Sequence, residues 1–191
     1  MRHSLTRVLT LAALIPLAMS CAMNKAEKGA IIGAGAGGAA GAIIGHQMDK
    51  QAEELAYALP GAVVQRVGEG ITVTFPEGLL FGFDSDQINA TAQDNLRRFA
   101  ASLQKYPNTR TLIVWHTDSQ GSAGYNMDLS NRRALSAANF ITGEGVDRAR
   151  ISTAGRGEGD SIATNTSDAG RQLNRRVEVA IYADAAARGG Q

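Results

Sequence analysis

The run GAIIGAGAGGAAGAIIG, Gly29 to Gly45, carries no charged residue and returns to glycine at 29, 33, 37, 41 and 45. A strict period of four lays these glycines along one slowly drifting side of a helix, the small-residue groove along which helices in lipid approach closely. The run holds seven glycines in seventeen residues. Each costs about 1 kcal/mol relative to alanine in a helix, so such a helix does not persist alone in water. At about 1.5 Å per residue it reaches only about 25 Å, near the lower limit for crossing a hydrocarbon core. Two readings stand: a helix supported by membrane or partner helices, or a Gly/Ala linker. The regular spacing and the Ile pairs at 31–32 and 43–44 favour the helix.

Ahead of this run, Arg2 and Arg7 precede an uncharged stretch, Val8 to Met19, too short to span a bilayer. That is the pattern of an export signal, expected over residues 1–20 and removed on maturation. Losing Arg2 and Arg7 leaves 17 basic residues against 18 acidic, a nearly neutral chain. The single cysteine, Cys21, stands just behind Leu17-Ala18-Met19-Ser20. One cysteine forms no intramolecular disulfide and no cysteine-rich metal site. With three histidines in all, no metal site and no cofactor are expected. No interleaving of basic and aromatic residues is present, so no nucleic-acid partner is expected.

Beyond the glycines, DKQAEELAYAL reads as a short polar helix stopped by Pro60-Gly61, a spacer over residues 46–61. Alternation in AVVQRV and ITVTF around Gly68-Glu69-Gly70 predicts a β-hairpin. Leu96, Phe99, Ala100, Leu103 and Tyr106 predict one helix face, with Asn89 or Thr91 as cap. TLIVWH predicts a strand, Asn126 to Thr142 a second helix, Ile151 to Ala154 a strand, Ser167 to Leu173 a short helix and Arg176 to Tyr182 a last strand. Interleaved strands and helices without a phosphate loop give an α+β domain over residues 62–183, a mixed sheet with helices on one face. Residues 184–191 are expected to be a disordered tail.

Two blocks in this domain resemble a known family. His116-Thr117-Asp118, Gly121, Tyr125-Asn126, Leu129-Ser130 and Arg133-Ala134, followed by Asn165, Gly170-Arg171 and Asn174-Arg175-Arg176-Val177-Glu178, resemble the signature of the OmpA-like C-terminal domain, which includes peptidoglycan-associated lipoproteins. The Cys21 region resembles the bacterial lipobox, and the glycine run resembles the glycine zippers of envelope lipoproteins. Together these resemblances imply a lipid anchor at Cys21, an outer-membrane location with the C-terminal domain in the periplasm, and a non-enzymatic tether to the cell wall. Homo-oligomers through the glycine helix are part of that expectation. The family is implied to bind peptidoglycan by gripping the diaminopimelate of the stem peptide, with Asp118, Arg133, Asn126, Asp86 and Arg175 at the family's pocket positions. Trp115 departs from the pattern, which has a small residue there; Ser161 replaces a frequent proline and Arg156 a frequent aromatic.

The implied ligand ends in a zwitterion, which calls for one acidic and one basic side chain a few ångströms apart. Asp118 would take the ammonium and the Arg133 guanidinium the carboxylate. If the pair serves chiefly as a receptor, removing either group should cost the empty domain little stability. Three alternatives stand beside this: an ion pair that only braces a loop, a His116–Asp118 dyad with Ser119 or Ser122 as nucleophile, and a membrane organiser whose C-terminal domain binds proteins. Trp115 and His116 face opposite sides of the strand, so the indole either fills the core or crowds the pocket.

Overall fold

The computed structural model describes residues 41–81 and 85–184. In chain order these form α1 (Gly41–Ala58), β1 (Val63–Val67), β2 (Gly70–Pro76), α2 (Ala90–Lys105), β3 (Thr109–His116), α3 (Ala123–Gly143), β4 (Ile151–Gly157), α4 (Asp168–Asn174) and β5 (Arg176–Ala183). Single 3-10 turns cover Glu77–Leu79 and Arg148–Arg150. The export signal, Cys21 and the glycines up to residue 40 lie outside the described residues, as does the Phe83-Asp84 element.

The sheet runs β1-β2-β5-β3-β4. Only β3 and β4 are parallel; the other neighbours are antiparallel. The last strand therefore fills the centre, between β2 and β3. Its register aligns Val73 with Val179 and Val179 with Ile113, so Ile71, Val73, Phe75, Ile113, Trp115, Val177 and Ile181 share one face. Against that face pack Leu96, Phe99 and Leu103 of α2 and Ala134, Ala137 and Ile141 of α3. The α+β mixed sheet with helices on one face is what the alternation predicted.

Local signals place the helices. Asn89 caps α2 by accepting from the Ala92 N–H at 2.8 Å, and Ser122 caps α3 by accepting from the Tyr125 N–H at 3.2 Å. Helix α1 corrects the spacer expectation. It starts inside the glycine run, and Met48, Ala52, Leu55 and Leu59 enter the same core as the sheet. Gln51 is fully buried there, donating to Ser102 Oγ at 3.3 Å, while Glu54 ties α1 to α2 through Lys105 and Tyr106. A stripe at i, i+4, i+7 and i+11 is the core-facing pattern; the polar residues between its members hid it. At the other end Asp184, assigned to the tail, is held: its N–H donates to Asn108 O and its carboxylate accepts from Arg110 at 3.0 Å.

Candidate functional site

Three chain segments meet at one end of the sheet: the turn after β2, the loop from β3 into α3, and the residue that opens β5. Because β2, β5 and β3 are neighbours, their ends bring Glu77, Asp118 and Arg175 together although they lie far apart in sequence. From α3, Arg133 reaches the same place. Its guanidinium forms an ion pair with Glu77, and its Nε donates to Ser85 O at 2.8 Å. Arg175 bridges two carboxylates, with Nε 3.2 Å from Glu77 and Nη1 2.5 Å from Asp118. The result is an alternating chain Arg133–Glu77–Arg175–Asp118. Asp118 and Arg133 do not pair with each other, yet both line a cavity of about 110 Å³ with Asn126 and Tyr125.

Burial decides how these charges behave. Arg133 is 2% exposed, Asp118 5% and Glu77 9%, whereas the Arg175 side chain keeps 36% of its surface. Burial pushes the Glu77 carboxyl above the usual carboxylate range, against the pull of Arg133 and Arg175. The loop carrying Asp118 is built to hold it still. Its Oδ1 accepts the Gln120 N–H at 2.9 Å, and Asn126 Nδ2 donates to the Asp118 carbonyl and to Glu158 Oε2. Gly121 turns this loop at φ +94, a backbone region that favours glycine.

Four of the five expected pocket residues, Asp118, Arg133, Asn126 and Arg175, line this cavity. Asp86 does not: its carboxylate lies 3.2 Å from Arg132 Nε, on a half-exposed surface pair. Glu77, which the sequence reading omitted, is a further acid lining the cavity.

Trp115 fills the core rather than the pocket mouth. It is fully buried, edge-on to Phe81 with ring centroids 4.8 Å apart, and Arg133 lies over both rings at 5.5 Å and 5.9 Å. The indole is thus the floor on which the pocket's arginine rests. Contacts this extensive run against the expectation that removing Arg133 costs the empty domain little stability.

His116 faces the other side of the sheet. It is 2% exposed beside Glu178, whose Oε1 is 3.8 Å from Nε2 and accepts from Arg176 Nε at 2.6 Å. Burial, with Arg176 and Arg156 nearby, lowers the imidazole to about 3. Among the described residues neither ring nitrogen has a hydrogen-bond partner, and the Ser122 hydroxyl is used as a helix cap. A nucleophile–base dyad needs the opposite arrangement.

The closing block builds the wall behind Arg175. Asn174 accepts from the Ile162 and Ala163 N–H groups and donates to Ala163 O and Asn165 Oδ1. Gly170 packs so closely on the Thr164 carbonyl that a Cβ has no room. Residues 80–175 match the OmpA family. The chain belongs to the OmpA family. Residues 17–52 also match the glycine zipper family.

Among OmpA-family relatives, the probable lipoprotein YiaD of Escherichia coli (strain K12) is 36% identical over 86% of this chain and 76% of its own length. The peptidoglycan-associated lipoprotein of Agrobacterium fabrum is 31% identical over 68% of this chain and 73% of its own. The solved cell wall anchor of the T6SS from Pseudomonas aeruginosa superposes with TM-score 0.62 at 28% identity, covering 72% of this chain and 97% of that one. Glu77 falls just before the span that matches the OmpA family.

Proposed function

We propose that this chain is a non-enzymatic lipoprotein that ties the outer membrane to the cell wall, binding peptidoglycan through diaminopimelate. Asp118 takes the ligand's ammonium and Arg133 its carboxylate, with Asn126 and Arg175 completing the pocket. The observation that carries this reading is one small cavity, about 110 Å³, lined by a buried carboxylate and a buried guanidinium that are not paired to each other. An amino-acid head group presents the complementary charges on one carbon. Each would be met by a charge-assisted hydrogen bond. Names among the relatives, a peptidoglycan-associated lipoprotein and a cell wall anchor, point the same way. Acylation at Cys21 supplies the membrane attachment, and the glycine helix provides a surface for homo-oligomers.

Calorimetry with stem peptides tests the ligand. Peptides ending in diaminopimelate should bind about thirtyfold tighter than those with lysine, which lacks the second carboxylate, because a lost charge-assisted contact costs about 2 kcal/mol. Asp118→Asn should weaken both peptides alike, since both carry the ammonium, and leave the preference, which rests on the carboxylate held by Arg133. Equal affinity for the two peptides would refute the assignment.

A further inference from the structure

Glu77 is the member of the charged cluster to which the proposed binding of diaminopimelate gives no task. Its position is nonetheless fixed. The Glu77 N–H donates to Arg175 O at 3.0 Å, and its own carbonyl accepts from the Leu80 and Phe81 N–H groups, so the turn after β2 is pinned to the residue that opens β5. From there the two carboxylate oxygens diverge: Oε1 pairs with Arg133, and Oε2 lies 3.2 Å from Arg175 Nε. One carboxylate thus spans both cations, the contact an incoming ligand carboxylate would make. Among the described residues lining the cavity, the charged ones are Glu77, Asp118, Arg133 and Arg175, two acids against two bases.

Resting on the function proposed above, we infer that Glu77 sets the specificity of the pocket: it holds the place of a carboxylate on Arg133 and Arg175, keeps the empty cavity balanced in charge, and so admits a zwitterion while rejecting a plain anion. A zwitterionic head group brings one charge of each sign. Its carboxylate shares the two guanidiniums with Glu77, its ammonium settles on Asp118, and the balance is kept. A ligand with a carboxylate alone would set a third acid against two bases, where Arg133 is 2% exposed and Glu77 9%. An unmatched charge in such a place is costly, and a cost imposed on the wrong ligand is a source of selectivity. Burial already holds the Glu77 carboxyl above the usual carboxylate range, with Asp118 pushing the same way and Arg133 and Arg175 opposing it. A second carboxylate on the same guanidiniums raises it further, so the zwitterion should bind with uptake of protons by Glu77.

The test compares meso-diaminopimelate with pimelate, the same dicarboxylate without its ammonium groups, by calorimetry on the mature full-length chain in detergent. The unmutated chain should strongly prefer diaminopimelate. Glu77→Gln keeps the size and an accepting oxygen but removes the charge, and it should raise the affinity for pimelate about tenfold. Diaminopimelate should change less, because the lost charge favours its carboxylate and disfavours its ammonium, so the preference narrows. A second measurement uses the unmutated chain alone. At about pH 5.5, where free diaminopimelate keeps one charge state, its binding heats in buffers of different ionisation enthalpy should show proton uptake, which Glu77→Gln should abolish. A preference unchanged by Glu77→Gln, or binding to the unmutated chain without proton uptake, overturns the role of Glu77 while the diaminopimelate pocket stands. Uptake that survives in Glu77→Gln belongs to another group and overturns it equally. Failure of diaminopimelate to bind the unmutated chain overturns the inference together with the function on which it rests.

Discussion

Replacing Glu77 by leucine would remove one carboxylate from Arg133 while leaving the guanidinium in place. Arg133 is 2% exposed, so water cannot take over from the lost partner. Removing one member of a buried ion pair generally costs about 3–5 kcal/mol, because the other charge is left without compensation. Two features place this case at the lower end. Arg133 keeps its hydrogen bond to Ser85 O and its position over the Phe81 and Trp115 rings, and the Glu77 carboxylate itself is strained by burial. Arg175, more exposed and still paired with Asp118, adds little to the loss. The expected destabilisation is therefore about 3 kcal/mol, which lowers the melting temperature by about 10 °C for a domain of this size. Urea denaturation and calorimetry on the same protein would measure it. The double variant Glu77→Leu/Arg133→Met removes both charges and should recover much of the loss, giving a coupling of about 2 kcal/mol or more. A single variant within about 1 kcal/mol of the parent, or additive effects in the double variant, would refute the account of Glu77 as the counter-charge of the pocket.

Acidification should weaken the fold through His116. Its folded value of about 3 lies below the unfolded 6.5, so the unfolded chain binds the extra proton first and stability falls as pH drops through that window. Between pH 7 and pH 4.5 this amounts to about 2–3 kcal/mol. Glu178, raised by burial, works in the opposite sense and offsets part of it, with Arg176, Arg156 and Asp160 nearby. A His116→Asn variant should show a flatter stability profile over that range; an unchanged slope would remove His116 as the cause. Separately, Cys21→Ser should free the protein from membranes into the periplasmic fraction. Retention through a carbonate wash would assign the anchor to the glycine segment instead.

The sequence was most legible where one periodicity acted alone. Hairpin alternation, the Leu96–Leu103 face and the cap at Asn89 are local patterns, and the elements formed where those patterns lay. Reading failed where the signal was distributed. Helix α1 looked like a spacer because Met48, Ala52, Leu55 and Leu59 are separated by Lys, Glu and Gln, and only its contacts with the sheet distinguish a core stripe from a solvated helix. Glu77 is one acidic residue in a Pro-Glu-Gly turn, and its partner Arg133 is 56 positions away. Nothing local marks it. Asp86 was carried over from a motif position, and its outward pairing with Arg132 is a tertiary contact that spacing does not specify. For Trp115 the alternation correctly set it opposite His116, but only packing against Phe81 decides that it supports the pocket from below.

The position of β5 also sets an order of events for a chain that forms from its N-terminus onward. Until its final segment arrives, β2 and β3 have no strand between them, and each exposes an unpaired edge of the kind that recruits other chains. Arg175, which joins Glu77 to Asp118, arrives with that same segment. A truncated product would therefore lack the middle of its sheet and one of the two cations of its pocket at once. Closure of the sheet and assembly of the charged cluster thus depend on one segment, β5 with the residue before it.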